Sequence, residues 1–284
     1  MRITVADVFG SVPFTGNGLA VIHDAEQLTS EQMQAIAAWT NLSETTFLLP
    51  PTQPGVDYRV RIFTTGSELP FAGHPTLGSA HAWLAAGGAP ASDGGVIQEC
   101  AAGLVPVRIE AGLLAFAAPS LVRTGPVDAS TRDRVLGALG LSEHGAVDMA
   151  WCDNGPGWIG VRVATAQQVL ELVVDRSAFD HLAVGVIGPY ATGEHPQGSD
   201  VEVRAFYDDG AGFDEDPVTG SLNAALAQWL VPAGVLPAHY VASQGRVLGR
   251  DGRVRVDHID GQIWVGGTVR TIVSGDLPHV DGLA

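Results

Sequence analysis

The sequence predicts a mixed α/β (α+β) protein built as two similar lobes, and three observations predict it. One strand-loop-helix phrase occurs twice, strand-like and helix-like stretches alternate along the chain, and 284 residues at 46% hydrophobic content suffice for two moderate cores. The first copy of the phrase, RIFTTGSELPFAGHPTLGSAHAWL, runs from Arg61 to Leu84, and the second, RAFYDDGAGFDEDPVTGSLNAALAQWL, runs from Arg204 to Leu230. Aligned on a polar residue, Pro, two residues, Gly and Ser, His74 pairs with Asp216, Pro75 with Pro217, Gly78 with Gly220 and Ser79 with Ser221, at an offset of 142. With 36 Gly and 17 Pro, such a string alone is common, but the shared order of strand, loop, Pro and amphipathic helix is harder to reach by chance. A fainter echo joins GNGLAVI from Gly16 to GPGWIGV from Gly155. Duplicated halves that each present a Gly-bearing helix start suggest a pseudo-twofold molecule with one shared site.

Element by element, Ile3 to Phe9 and Leu19 to His23 alternate as strands, and a helix follows from about Ser30 to Trp39 with Thr29 and Gln32 placed as a capping box. Glu44 to Leu49 and Tyr58 to Thr64 read as strands, with Val60 and Ile62 on one face and Arg59 and Arg61 on the other. A helix from Pro75 to Ala86 stops at Gly87 and Gly88, and strands resume at Val105 to Glu110 and Leu113 to Ala117. The segment from Ala118 to Pro126, with two prolines, is the linker candidate. It divides the chain into lobes of residues 1–118 and 119–284, with a return of the last C-terminal residues to the first lobe left open. The second half repeats the pattern through Val273.

Composition removes several classes of function. A formal net charge of −16 without a basic cluster disfavours nucleic acid and anionic membranes as partners. All 15 basic residues are Arg, which excludes a lysine Schiff base and a phosphate loop with its usual Lys. Cys100 and Cys152 form neither a disulfide framework nor a CxxC site and read as buried fillers. No apolar run reaches the roughly 20 residues of a membrane helix. The start MRITVADVFG is strand-like rather than signal-like, so the protein is expected to be cytoplasmic.

At each helix start Pro is expected at the first helical position, with His74 and Asp216 as caps and free amides at Thr76–Gly78 and Val218–Gly220. Such amides suit a small carboxylate. Taken one at a time these features are ordinary: Asp216 makes a good cap, Glu44 between Ser43 and Thr45 reads as a solvated or capping side chain, and His74 as a cap or core histidine. His74 and His81 have poor spacing for metal ligands, and the acidic stretch Asp208, Asp209, Asp214, Glu215 and Asp216 lacks the alternation of a calcium loop, so no metal is expected.

The strings TGNGLAVI, NLSETTFL, FAGHPTLG, EDPVTGS and GRDGRV, in this order along essentially the whole chain, resemble the PhzF family of phenazine-biosynthesis isomerases. Two positions depart from the family pattern, Gly18 and Asp251, where Pro is common. The resemblance implies a diaminopimelate epimerase-like fold. In that fold each lobe wraps a curved β-sheet around a central helix, here those beginning at Pro75 and Pro217, and the active site lies between the lobes.

By the same resemblance Glu44 is the general acid/base, His74 and Asp216 are its catalytic partners, and Gly73, His74, Gly220 and Ser221 bind substrate. The implied chemistry is cofactor-free isomerisation of trans-2,3-dihydro-3-hydroxyanthranilate or another small amino or hydroxy carboxylate, with Glu44 moving a proton from one ring carbon to another. Such a shuttle needs a carboxyl group in a dry cleft with a raised pKa. A homodimer is expected from relatives. Two rival readings accompany this one: a non-catalytic small-carboxylate binding protein, and a two-thiol epimerase or racemase of the same fold. The second is disfavoured because Ala72 and Asp216 stand where the thiols would be.

Overall fold

Alternating strands begin at Arg2, and the structure, a computed structural model, describes residues 1–110, 112–193, 196–208 and 212–278, with the backbone alone at Pro196. Asp209 of the acidic stretch lies outside the described residues. The chain separates into two units, residues 1–117 with the C-terminal segment from Gly266, and residues 118–265. In order, the first unit contains β1 (Arg2–Val8), β2 (Asn17–His23), α1 (Ser30–Thr40), β3 (Glu44–Leu49), β4 (Tyr58–Phe63), β5 (Glu68–Leu69), α2 (Gly73–Ala85), β6 (Gly95–Cys100), β7 (Gly103–Glu110) and β8 (Leu113–Ala117). The second holds β9 (Arg123–Pro126), α3 (Ala129–Ala138), β10 (Asp148–Asp153), β11 (Trp158–Arg162), α4 (Ala166–Glu171), β12 (Ala183–Pro189), β13 (Val201–Asp208), β14 (Phe213–Asp216), α5 (Gly220–Leu230), β15 (His239–Gln244) and β16 (Gly252–Ile259). After β17 (Gln262–Gly267), β18 (Val269–Asp276) pairs antiparallel with β1. The expected linker is half strand, because β9 pairs with β10.

Both units follow one pairing rule. In the first, the order β18-β1-β2-β3-β4-β6-β7 reads antiparallel, antiparallel, parallel, antiparallel, parallel, antiparallel. In the second, β9-β10-β11-β12-β13-β15-β16 repeats that series in the same sequence. The short strands β5 and β14 hang on β4 and β13 respectively. Parallel steps need a crossover, and helices supply it: α1 and α4 in the first parallel step, α2 and α5 in the second.

Helices α2 and α5 are central within their units. Helix α2 packs on β1, β2, β3, β6, β8 and β18, and α5 on β10, β11 and β16. Nine of the 11 residues of α5 are buried, so it is enclosed rather than amphipathic on a surface. Small residues permit this closeness: a Cβ at Gly78 would stand 2.4 Å from Leu19 Cδ2, and one at Gly185 of β12 would stand 2.1 Å from Leu222 Cδ1. Burying Leu222, Leu226 and Leu230 stabilises the second unit by about 1.5–3 kcal/mol each. Outer helices seal separate cores, with Met33 and Ala37 of α1 against Ile22, Phe47 and Phe63, and Val135 and Leu136 of α3 against Val161, Val184 and Phe206.

The expected helix starts need correction. The N-cap of α2 is Ala72 and that of α5 is Thr219. His74 therefore lies within the first turn, with Pro75 one residue further in, whereas Asp216 ends β14 with Pro217 outside the helix. The repeat register shifts accordingly. Gly73 and Gly220 open their helices at an offset of 147, so the matching strings are ELPFAGH from Glu68 and EDPVTGS from Glu215. Strand pairing agrees: Phe63 faces Glu68 and Ile62 faces Leu69, as Phe206 faces Glu215 and Ala205 faces Asp216.

Candidate functional site

In the first unit, Glu44 is the first residue of β3 and lies beside Leu19 of β2. The first turn of α2 brings His74 against it, with Nε2 3.3 Å from Glu44 Oε2, a close approach more than an aligned hydrogen bond. The His74 side chain is 3% exposed. Loss of hydration drives its pKa down to about 3, with the Gly18 backbone acting in the opposite sense. His74 is thus neutral near pH 7.

A polar chain orients the ring. Ser43 Oγ donates to Asn17 Oδ1 at 3.5 Å, which leaves Asn17 Nδ2 facing His74 Nδ1 at 3.3 Å. With Asn17 donating there, the single proton of the neutral ring is assigned to Nε2, toward Glu44. Asn17 is placed by the loop before it: Asp7, 3% exposed, accepts from the Gly16 amide at 2.8 Å and the Thr15 amide at 3.2 Å. Neighbours of Glu44 are anchored too, by Thr40 and Thr45 hydroxyls 2.7 Å apart and by Ser79 Oγ donating to Thr46 Oγ1 at 2.9 Å.

In the second unit, Asp216, Gly220 and Ser221 share one strand-to-helix connection. Thr219 Oγ1 donates to Asp216 Oδ2 at 2.5 Å. Ser221 Oγ accepts from Trp158 Nε1 at 3.2 Å, and the Ser221 carbonyl accepts from Asn154 Nδ2 at 2.8 Å. Sequence reasoning missed Asn17, Thr219 and Trp158. The ELPFAGH and EDPVTGS strings carried the signal for Thr219.

Helix caps separate the two kinds of helix. Thr29, Asp128 and Thr165 each cap α1, α3 and α4 with a side chain, but neither α2 nor α5 has a side-chain cap. The first amides of α2, at Gly73 and His74, and of α5, at Gly220 and Ser221, thus receive no oxygen from their N-cap side chains, and the positive end of a helix dipole favours an anion. The cap positions hold Ala72 and Thr219, not the His74 and Asp216 expected, and neither is a thiol. Both cysteines are buried; desolvation raises the Cys100 thiol and pushes Cys152 up to about 12.

The family model described as phenazine biosynthesis-like protein matches residues 6–275. The chain is 35% identical to the Schizosaccharomyces pombe protein named antisense-enhancing sequence 1, covering 95% of this chain and 96% of that one. It is 34% identical to a trans-2,3-dihydro-3-hydroxyanthranilate isomerase of Pseudomonas aeruginosa, covering 89% and 88%. A solved predicted epimerase from Pseudomonas aeruginosa superposes with a TM-score of 0.78 at 31% identity, over 97% and 98% of the two chains. With a duplicated mixed α+β fold and the family model spanning nearly its whole length, this chain belongs to the PhzC–PhzF family of phenazine biosynthesis-like proteins.

Proposed function

We propose that this chain is an isomerase that moves a proton between carbons of a small cyclic amino or hydroxy carboxylate, such as trans-2,3-dihydro-3-hydroxyanthranilate. The observation that carries the reading is the contact of Glu44 Oε2 with Nε2 of a buried, neutral histidine. An isomerase named for that substrate among the relatives supports it.

Glu44 takes a proton from a ring carbon, the C–H electron pair enters the conjugated system, and the protonated Glu44 returns the proton to a carbon further along. Atoms and charge balance, and no electron leaves the substrate. His74 sets Nε2 3.3 Å from the Glu44 carboxylate and, being costly to charge, leaves the proton on Glu44. The helix starts at Gly73 and at Gly220 each offer a place for a carboxylate, and Asp216 and Ser221 are the polar site residues of the second unit.

Turnover of this substrate in deuterated buffer, followed by absorbance and mass, tests the reading. The native chain converts it and exchanges hydrogen with solvent, while Glu44→Gln retains ligand affinity within about threefold and loses at least about a hundredfold in kcat. Binding with no conversion and no exchange by the native chain would reject the reading and leave a carboxylate-binding protein.

A further inference from the structure

We propose that Gln244 is a positioning residue for Asp216, holding the connection that carries it through four hydrogen bonds. Its Oε1 accepts from the Thr219 amide and from Asn223 Nδ2, both at 3.0 Å. Its Nε2 donates to the Asp216 carbonyl at 3.0 Å and to Thr219 Oγ1 at 2.9 Å. That hydroxyl, once it has accepted from Gln244, has its one proton left to donate, and it donates to Asp216 Oδ2. Gln244 thereby sets both the backbone of Asp216 and the direction of the donor on its carboxylate. The next residue closes the arrangement from beneath: Gly245 has φ +92°, and a Cβ there would stand 2.5 Å from the Pro217 carbonyl oxygen.

Comparison with the first unit shows that this is more than a structural habit of the fold. Gln98 on β6 reaches the first turn of α2 as Gln244 on β15 reaches that of α5, although the registers set them two residues apart: Tyr58 faces Gln98, and its equivalent Val201 faces Ala242. Thr76 and Asn223 correspond, each bonding the carbonyl four residues back, at Ala72 and Thr219. Gln98 donates to Thr76 Oγ1 but accepts from Tyr58, both at 3.0 Å, and so divides its bonds between helix and strand. Gln244, with 0% exposure, directs all four to the stretch from Asp216 to Asn223. At the position of Asp216 the first unit has Leu69, which has no carboxylate to orient.

The inference rests on the reading of Asp216 as a site residue of the proposed isomerase, and the test separates the two. Gln244→Met keeps the length of the buried side chain and removes its hydrogen bonds, and Gln98→Met is the control. In Gln244→Met the carboxyl carbon resonance of Asp216 in the folded full-length chain shifts and kcat on trans-2,3-dihydro-3-hydroxyanthranilate falls about 10- to 100-fold, with KM changed less than about threefold. In the Asp216→Asn background the same substitution lowers kcat by less than about twofold more, because the residue it acts through is already gone. An unmoved Asp216 resonance, or losses that multiply in the double variant, overturns the proposal. If the native chain does not turn the substrate over while the resonance still moves, positioning stands and the proton-transfer reading falls. Should Gln244→Met not fold, Thr219→Val breaks the same link from the other side, and an unmoved Asp216 resonance there overturns the proposal equally.

Discussion

Ala183 occupies in the second unit the place that Glu44 occupies in the first: Leu19 of β2 faces Glu44 at the start of β3, and Trp158 of β11 faces Ala183 at the start of β12. The other polar positions are divided as well, with His74 matched by Ser221 and Asp216 matched by Leu69. A duplicated frame therefore carries one carboxylate of each kind, which suits a single proton shuttle better than a pair of equivalent bases.

Acid sensitivity should follow from His74. Its pKa is 6.5 in the unfolded chain and about 3 when buried, so between these values the unfolded state binds more protons and stability falls as the pH is lowered from about 6.5 toward 3. His23, lowered chiefly by burial, acts in the same direction. Urea midpoints measured from pH 7 to pH 4 should decline in the native chain and decline less steeply in His74→Gln. Equal slopes would mean that the imidazole is charged in the folded state.

Two equivalent ion pairs should differ in worth. Arg204 grips Glu215 with Nε and Nη2, both at 2.8 Å, and its side chain is 5% exposed; Arg61 grips Glu68 in the same fork with its side chain 26% exposed. Arg204 also donates to the carbonyls of Val169 and Leu172. Arg204→Met should cost about 3–5 kcal/mol because it strands a largely enclosed carboxylate, 12% exposed, and two carbonyls, whereas Arg61→Met should cost about 1 kcal/mol or less. Denaturant titration of the two variants decides, and equal losses would refute the role of burial.

The loop before Asn17 should tolerate no side chain at Gly16. A Cβ there would stand 2.1 Å from the Val8 carbonyl oxygen and 2.6 Å from Asp7 Oδ1, so backbone must move. Gly16→Ala should lower stability by about 1–3 kcal/mol. Asn17→Leu tests the downstream effect without that clash: kcat should fall about tenfold or more at nearly constant KM, as the His74 ring loses its partner at Nδ1. Unchanged kcat would show that packing alone orients the ring.

Where local chemistry decided the structure, the sequence was readable. The reciprocal bonds of Thr29 and Gln32 start α1 where expected, and the limits of β3 and β8 fall as the alternation placed them. The helix starts of α2 and α5 were misread because capping preferences assume a side-chain cap, and these two helices have none. The repeat was misaligned by five residues because Pro-x-x-Gly-Ser recurs by coincidence, while the true match, Glu-x-Pro-x-x-Gly, has no more identities to set it apart.

By itself the sequence determined the mixed α+β class, the internal duplication and the family, since these are written in alternation, repetition and short strings that persist along the chain. Only the tertiary structure decided that β18 returns to β1, that Ala183 answers Glu44, that Asn17 addresses His74, and that Gln244 gathers Asp216, Thr219 and Asn223. These relations join residues far apart in the chain, and which of them meet depends on strand order and register, which no local preference of any residue encodes.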